Sequence, residues 1–156
     1  MTYENFTVTA QDAILKGQRL AAGLNQEDVQ SAHLLIGILD SEDLIVPDLL
    51  KALNINVTLL KREMYNFVEK QPRSKAVEKQ KLTPEANAML SKSKKFMTEL
   101  GDKYITPEIM ILGLVDGIDS PAVLLKGLGL TPENVKKAIL DLRQGKKVTD
   151  QANTSP

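Results

Sequence analysis

The chain repeats itself at a spacing of 76 residues. Ile36-Gly37-Ile38-Leu39-Asp40 aligns with Leu112-Gly113-Leu114-Val115-Asp116. Upstream, at the same spacing, Ala10, Ala13, Ile14, Gly17, Leu20, Ala21 and Leu24 face Ala86, Met89, Leu90, Ser93, Phe96, Met97 and Leu100. Downstream the offset slips to 75, where Leu50-Lys51-Ala52-Leu53-Asn54-Ile55 corresponds to Leu125-Lys126-Gly127-Leu128-Gly129-Leu130. A period this long marks one supersecondary unit used twice, each copy covering apolar surface that the other would leave wet. Two copies predict a closed pseudo-symmetric domain, not an open solenoid.

Each unit reads as four helices. Over 8–24 the apolar residues recur at steps of three, four and seven, with Thr7 as N-cap and Gly23 placed to end the helix in a left-handed turn. Segment 31–40 begins at Ser31, read as the capping position, and is apolar on nearly all sides, as befits a helix packed all round. Helices over 46–53 and 57–69 follow, the latter capped by Asn56. In the second half Thr-Pro-Glu occurs at 83–85, 106–108 and 131–133. Threonine accepts an orphan backbone N–H, proline fits a first turn that needs none, and glutamate meets the positive end of the dipole. With Ser120-Pro121, these predict helices over 84–100, 107–116, 121–128 and 132–142. No strand-like alternation is present, so the expected fold is all-α: two pseudo-symmetric four-helix repeats packed into one globular domain over 1–145. Repeat one spans about 6–70 and repeat two about 82–142. Between them, 71–81 is basic and almost without apolar residues, which predicts a mobile linker; 146–156 predicts a flexible tail.

The balance of 20 basic and 20 acidic residues leaves no net field to draw in nucleic acid or an anionic membrane. The chain has no cysteine, which excludes disulfides, thiolate metal sites and thiol nucleophiles and fits a reducing cytoplasm. The run from Leu34 to Leu39 is far too short to cross a bilayer. The lone Gly-Lys pair, Gly145-Lys146, is followed by Lys147, and Leu140 stands where a phosphate-gripping loop needs its first glycine, so this chain should not hydrolyse ATP. His33 is the single histidine and lies on an apolar helix beside Leu34 and Leu35; a hydrogen-bonded structural role is expected, not a general base. Lys92, Lys94 and Lys95 read as a solvated face. Asp102 and Glu108 read as helix-boundary residues, one following Gly101 and the other in a first turn.

Taken in order, Phe6-Thr7, His33-Leu34-Leu35-Ile36-Gly37-Ile38-Leu39, Val46-Pro47-Asp48-Leu49-Leu50-Lys51 and Gly101-Asp102-Lys103-Tyr104-Ile105 resemble the N-terminal domain of the Clp/Hsp100 ring ATPases. Gly145-Lys146-Lys147-Val148-Thr149-Asp150-Gln151 is similar to the stretch that leads from that domain into the first ATPase module of the family's ClpB-type disaggregases. The resemblance covers about residues 6–150.

It implies a non-enzymatic module that captures exposed hydrophobic segments of unfolded or aggregated polypeptides in a shallow apolar groove between the halves, with Thr7, Asp102 and Glu108 as substrate-binding residues at the rim. It implies no cofactor or metal in this chain and ATP bound in absent ATPase modules. It also implies a cytoplasmic homohexameric parent cooperating with the Hsp70 system, a monomeric isolated domain, and neither nucleic acid nor membrane as partner. The alternative within the family is an adaptor- or phosphoarginine-binding domain of the ClpA or ClpC type, using carboxylates against a guanidinium. Two departures stand out: Ile109 occupies the place where many relatives have a second histidine, and 71–81 is lysine-rich where relatives often have glycines.

Overall fold

Two helices that are buried on every side form the middle of the molecule, and the rest of the chain is wrapped around them. The computed structural model describes residues 2–77 and 79–152. Repeat one contributes α1 (Val8–Gly23), α2 (Ser31–Leu39), α3 (Ile45–Ala52) and α4 (Val57–Glu69). Repeat two contributes α5 (Pro84–Glu99), α6 (Pro107–Val115), α7 (Ser120–Gly127) and α8 (Pro132–Arg143). All nine residues of α6 are buried, as are Ser31 to Ile38 of α2, so each repeat gives one apolar helix to a common core.

The repeated glycines explain how these central helices are reached. A Cβ at Gly37 would collide with the Ala13 carbonyl oxygen, and one at Gly17 would lie 2.7 Å from that of His33. Thus α1 and α2 cross backbone against backbone. In repeat two a Cβ at Gly113 would sit 2.6 Å from the Met89 carbonyl oxygen, and α5 lies on α6 in the same manner. Ser93, at the Gly17 position, folds its hydroxyl back onto Met89 O at 2.8 Å, so the close crossing holds no unpaired hydroxyl.

Helix starts follow the sequence signals where threonine or asparagine caps them. Thr7, Asn56, Thr83, Thr106 and Thr131 each accept from the backbone N–H three residues on. Three local expectations need correction. Helix α2 is capped by Gln30, with Ser31 as its first helical residue, and the His33 side chain closes a reciprocal capping box. The left-handed residue after α1 is Asn25 (φ 56°) and not Gly23, which is still helical. The chain is also not wholly helical: β1 (Asp28–Val29) and β2 (Lys81–Leu82) pair in parallel and stitch the two repeats together. Two residues are too few to leave an alternating pattern in sequence.

The connector between repeats, expected to be mobile, is fastened at both ends. Ser74 donates its N–H to Asn25 O at 2.7 Å, and Gln80 reaches Gln18 O at 2.9 Å with its side-chain amide. Glu78 lies outside the described residues. Nor is the tail free from 146 onward: Val148 is buried, and residues 147–151 hydrogen-bond to the α5–α6 loop and to the segment before α1. The sequence shows little apolar content there because hydrogen bonds and one valine hold the segment. The remainder of the expected tail, 153–156, lies outside the described residues.

Under the pseudo-twofold, α3 corresponds to α7 and α4 to α8. Helix α3 packs on α8. The mate pair, α4 and α7, is packed less closely than α3 and α8 and leaves an open groove.

Candidate functional site

Helix α8 carries an arginine into the interior. Val135, Ile139 and Arg143 follow at steps of four along its buried face, so the last of them must bring a guanidinium where an aliphatic side chain is expected. Arg143 Nη1 donates to Asp102 Oδ2 in an ion pair whose side chains are 6 % and 0 % exposed. Nη2 donates to Thr106 Oγ1 at 3.3 Å and to Glu108 Oε2 at 3.4 Å. Asp43, at the start of α3, adds a third carboxylate whose charge is felt by Arg143 and Glu108. Its Oδ2 accepts from the N–H groups of Ile45 and Val46 at 2.9 and 2.7 Å.

Two carboxylates thus pair with one guanidinium, and a third, Asp43, feels its charge without touching it. Burial pushes the Glu108 carboxyl above the usual range and the Asp43 charge pushes it further, against the pull of Arg143 and Thr106. Asp43 is also raised, chiefly by burial, with its two backbone N–H donors and Arg143 opposing. Glu108 Oε1 and Arg143 Nε are buried without a protein partner.

Thr7 lies on the neighbouring segment. Its N–H donates to Ile105 O at 2.9 Å while Ile105 N donates to Asn5 O at 2.7 Å, a parallel bridge centred on Phe6 and Ile105. Its hydroxyl accepts from Ala10 N at 3.2 Å. The structure thus brings Asp102 and Glu108 together on Arg143 and sets Thr7 one bridge away. All three are buried, at 1 % exposure for Thr7, 6 % for Asp102 and 2 % for Glu108. They are buried and not exposed at a groove rim as expected from sequence: Arg143 and the Val148 N–H take the two Asp102 oxygens, while Glu108 Oε1 has no protein partner.

Arg143, Thr106 and Asp43 were not anticipated as partners of these residues. The signal for Arg143 was present in the step of four from Val135 and Ile139, obscured because a charge usually ends an apolar stripe.

His33 has a structural place. Its Nδ1 accepts from Gln30 N at 2.9 Å, which puts the proton on Nε2, and Nε2 donates to Gln26 Oε1 at 2.7 Å. Burial lowers its pKa to about 4, so the ring is neutral near pH 7.

The open surface with apolar walls lies elsewhere. Between α4 and α7, a groove of about 360 Å³ is lined by Ile55, Leu59 and Leu60 from repeat one and by Leu124 and Leu128 from repeat two. Leu59 and Leu128 are 44 % and 52 % exposed. Asn54, Asn56 and Glu63 supply polar groups along it. A second, smaller depression of about 270 Å³ runs beside Met89, Leu114 and the exposed Ile118. Among the described residues no cluster of His, Asp or Glu is arranged to hold a metal ion, and no helix is long and apolar enough to cross a membrane.

The Clp repeat (R) N-terminal domain matches residues 5–128. The chain belongs to the Clp N-terminal domain family. It is 31 % identical over 152 residues to the chaperone protein ClpB of Vibrio vulnificus, covering 97 % of this chain and 18 % of that protein. It is 27 % identical over 153 residues to ClpB of Bacteroides thetaiotaomicron, covering 98 % and 18 %. The chain thus spans about a fifth of the length of these relatives. In structure this Clp N-domain is similar to the Hsp104 N-terminal domain of Candida albicans, with a TM-score of 0.82 at 19 % identity over 97 % of this chain and 100 % of that one. The N-terminal domain of the ClpV1 ATPase of E. coli gives 0.78 at 14 % identity over 99 % and 93 %. These likenesses bear on the fold: an eight-helix Clp N-domain with a two-strand stitch.

Proposed function

We propose that this Clp N-domain is the polypeptide-capturing module of a ClpB-type disaggregase and that it takes up extended apolar segments of unfolded or aggregated protein in the groove between α4 and α7. The observation that carries this reading is the broken pseudo-symmetry. Two repeats that pack α3 on α8 leave the equivalent α7 and α4 less closely packed, with leucines of both repeats exposed to water across the groove. An exposed apolar cleft of this kind is a site for apolar side chains of a partner, and the two asparagines and Glu63 at its side can bond a peptide backbone. The relatives that cover the chain are ClpB chaperones, which supports the disaggregase branch. By that likeness the parent is a cytoplasmic homohexamer working with the Hsp70 system and binding ATP in modules outside this chain.

The phosphoarginine-binding alternative is less well supported. Asp102 and Glu108, the carboxylates it needs, already hold the chain's own Arg143 in a buried cluster. A ligand guanidinium has to displace an internal one. A shallow groove should bind weakly, at roughly micromolar dissociation constants, since little area is buried against the entropy of ordering a flexible chain. Replacing Leu128 by Asp tests the reading: binding of a permanently unfolded protein should fall at least tenfold with helicity unchanged, and undiminished binding removes the groove from the account.

A further inference from the structure

Three helix ends meet where repeat one closes on repeat two. Helix α3 rests on α6 and α8, and just before it stands Asp43, whose Oδ2 accepts the N–H groups of Ile45 and Val46. The first turn of α6 brings Glu108 and the last turn of α8 brings Arg143. Asp102 comes from the α5–α6 loop and uses one oxygen on Arg143 and the other on the Val148 N–H.

The charges gathered here do not balance. Three carboxylates face one guanidinium, and among the described residues the packed elements bring no second cation. Lys16 of α1 pairs with Asp12 at 3.3 Å, Lys92 of α5 with Asp116 at 3.9 Å, and Lys136 of α8 with Glu99 at 3.4 Å. Lys126 of α7 reaches Gly117 O at 2.6 Å. His33, the titratable side chain of α2, is held neutral by burial. The other lysines and arginines of α1, α3, α5 and α8 are exposed, Arg143 excepted.

Glu108 is buried and its Oε1 has no protein partner. A buried anion without a counter-charge or a donor is far costlier than the neutral acid. Two such carboxyls near each other titrate as a pair, the first proton leaving readily and the second late. Asp43 and Glu108 are both raised, each chiefly by burial, and the Asp43 charge raises Glu108 further.

We propose that Asp43 and Glu108, one from each repeat, keep a single proton between them, and that this proton latches the start of α3 onto α6 and α8. When it leaves, two carboxylates of opposite repeats repel across the seam and α3 lifts, uncovering the buried Val46, Leu49 and Leu50. A raised folded-state value means that the closed form holds a proton that the open form releases, so the latch is shut at low pH and opens as pH rises. Neither carboxyl lines the α4–α7 groove, so the latch stands or falls independently of the use of that groove.

Carbon-13 NMR of the side-chain carboxyls, followed from acid to mildly alkaline pH, tests this on the intact chain. Glu108 should titrate about one pH unit or more above glutamate in the urea-unfolded chain. Asp43→Asn keeps an acceptor for Ile45 and Val46 but removes the facing charge, and should lower the Glu108 midpoint by about one unit. Amide exchange, corrected for its intrinsic pH dependence, reads the seam itself. Protection at Leu49 and Leu50 should fall about tenfold as pH rises through the Glu108 midpoint, with Leu35 and Ile36 of α2 unchanged, and Glu108→Gln should abolish that fall. A Glu108 midpoint at or below the unfolded value, a midpoint indifferent to Asp43→Asn, or α3 protection that does not vary with pH would each overturn the latch.

Discussion

Gln26 and Asp102 occupy the same position in the two repeats, each one residue after a left-handed residue, Asn25 in one case and Gly101 in the other. Both are buried, and both turn toward the end of the fourth helix of their own repeat. Gln26 donates to the Val68 carbonyl at 2.6 Å, while Asp102 pairs with the Arg143 side chain. Val68 and Arg143 are themselves equivalent at the offset of 75. A neutral amide-to-backbone contact in one half has thus become a buried ion pair in the other. The first is backed by a neutral histidine, the second by Glu108 and Asp43.

Arg143 holds the second arrangement together. Removing it strands Asp102 and Glu108 without their counter-charge, so Arg143→Ala should lower unfolding stability by about 3–5 kcal/mol, the usual cost of breaking a buried pair from one side. Urea denaturation followed by circular dichroism checks this.

Glu108 should behave in the opposite sense. Because its folded pKa is raised, the native state binds more protons than the unfolded chain above the ordinary glutamate value. Its contribution is then greatest below that value and is lost as pH rises through the folded pKa. Glu108→Gln, which keeps the shape and removes one of three like charges, should be neutral or stabilising near pH 7 and should flatten the fall in stability with rising pH.

His33 gives a pH dependence of the other sign. Its pKa is lowered to about 4 from 6.5, so the neutral ring stabilises the fold above 6.5 and that contribution is lost progressively as pH falls toward 4. The full loss is on the order of 3 kcal/mol. Comparing midpoints of urea unfolding at pH 7.5 and 5 for the intact chain and His33→Gln should show a smaller acid-side drop in the variant.

Gly37 should tolerate no side chain. Its missing Cβ leaves room for the Ala13 carbonyl, so Gly37→Ala must push α1 off α2, at about 3 kcal/mol or more and a melting temperature lower by roughly 10 °C. Gly127→Ala, where nothing lies within 4 Å, should change little.

Helix positions were legible because capping residues and apolar spacing agreed: Thr83, Thr106 and Thr131 each carry proline and glutamate after them, and each caps a helix. The two-residue stitch and the held segment 147–151 were not, since a pair of backbone hydrogen bonds or one buried valine leaves no periodic trace. The residues singled out for binding were located at helix boundaries correctly, but a cap at a boundary and a polar group at a groove rim have the same sequence signature. What separates them is burial, and burial of Asp102 and Glu108 depends on Arg143 arriving from α8, some 40 residues on. The groove expected between the halves had Thr7, Asp102 and Glu108 at its rim; the α4–α7 groove was not foreseen, since its leucines could not be told from core leucines by spacing alone.

Capture of unfolded polypeptide between α4 and α7 is tested most directly by backbone amide NMR of the labelled domain during titration with a permanently unfolded protein. The account predicts shifts concentrated at Asn54 to Glu63 and at Leu124 to Leu128, with Met89 and the α5–α6 surface unmoved. Shifts that instead centre on Met89, Leu114 and Ile118, or none at saturating client, would contradict it.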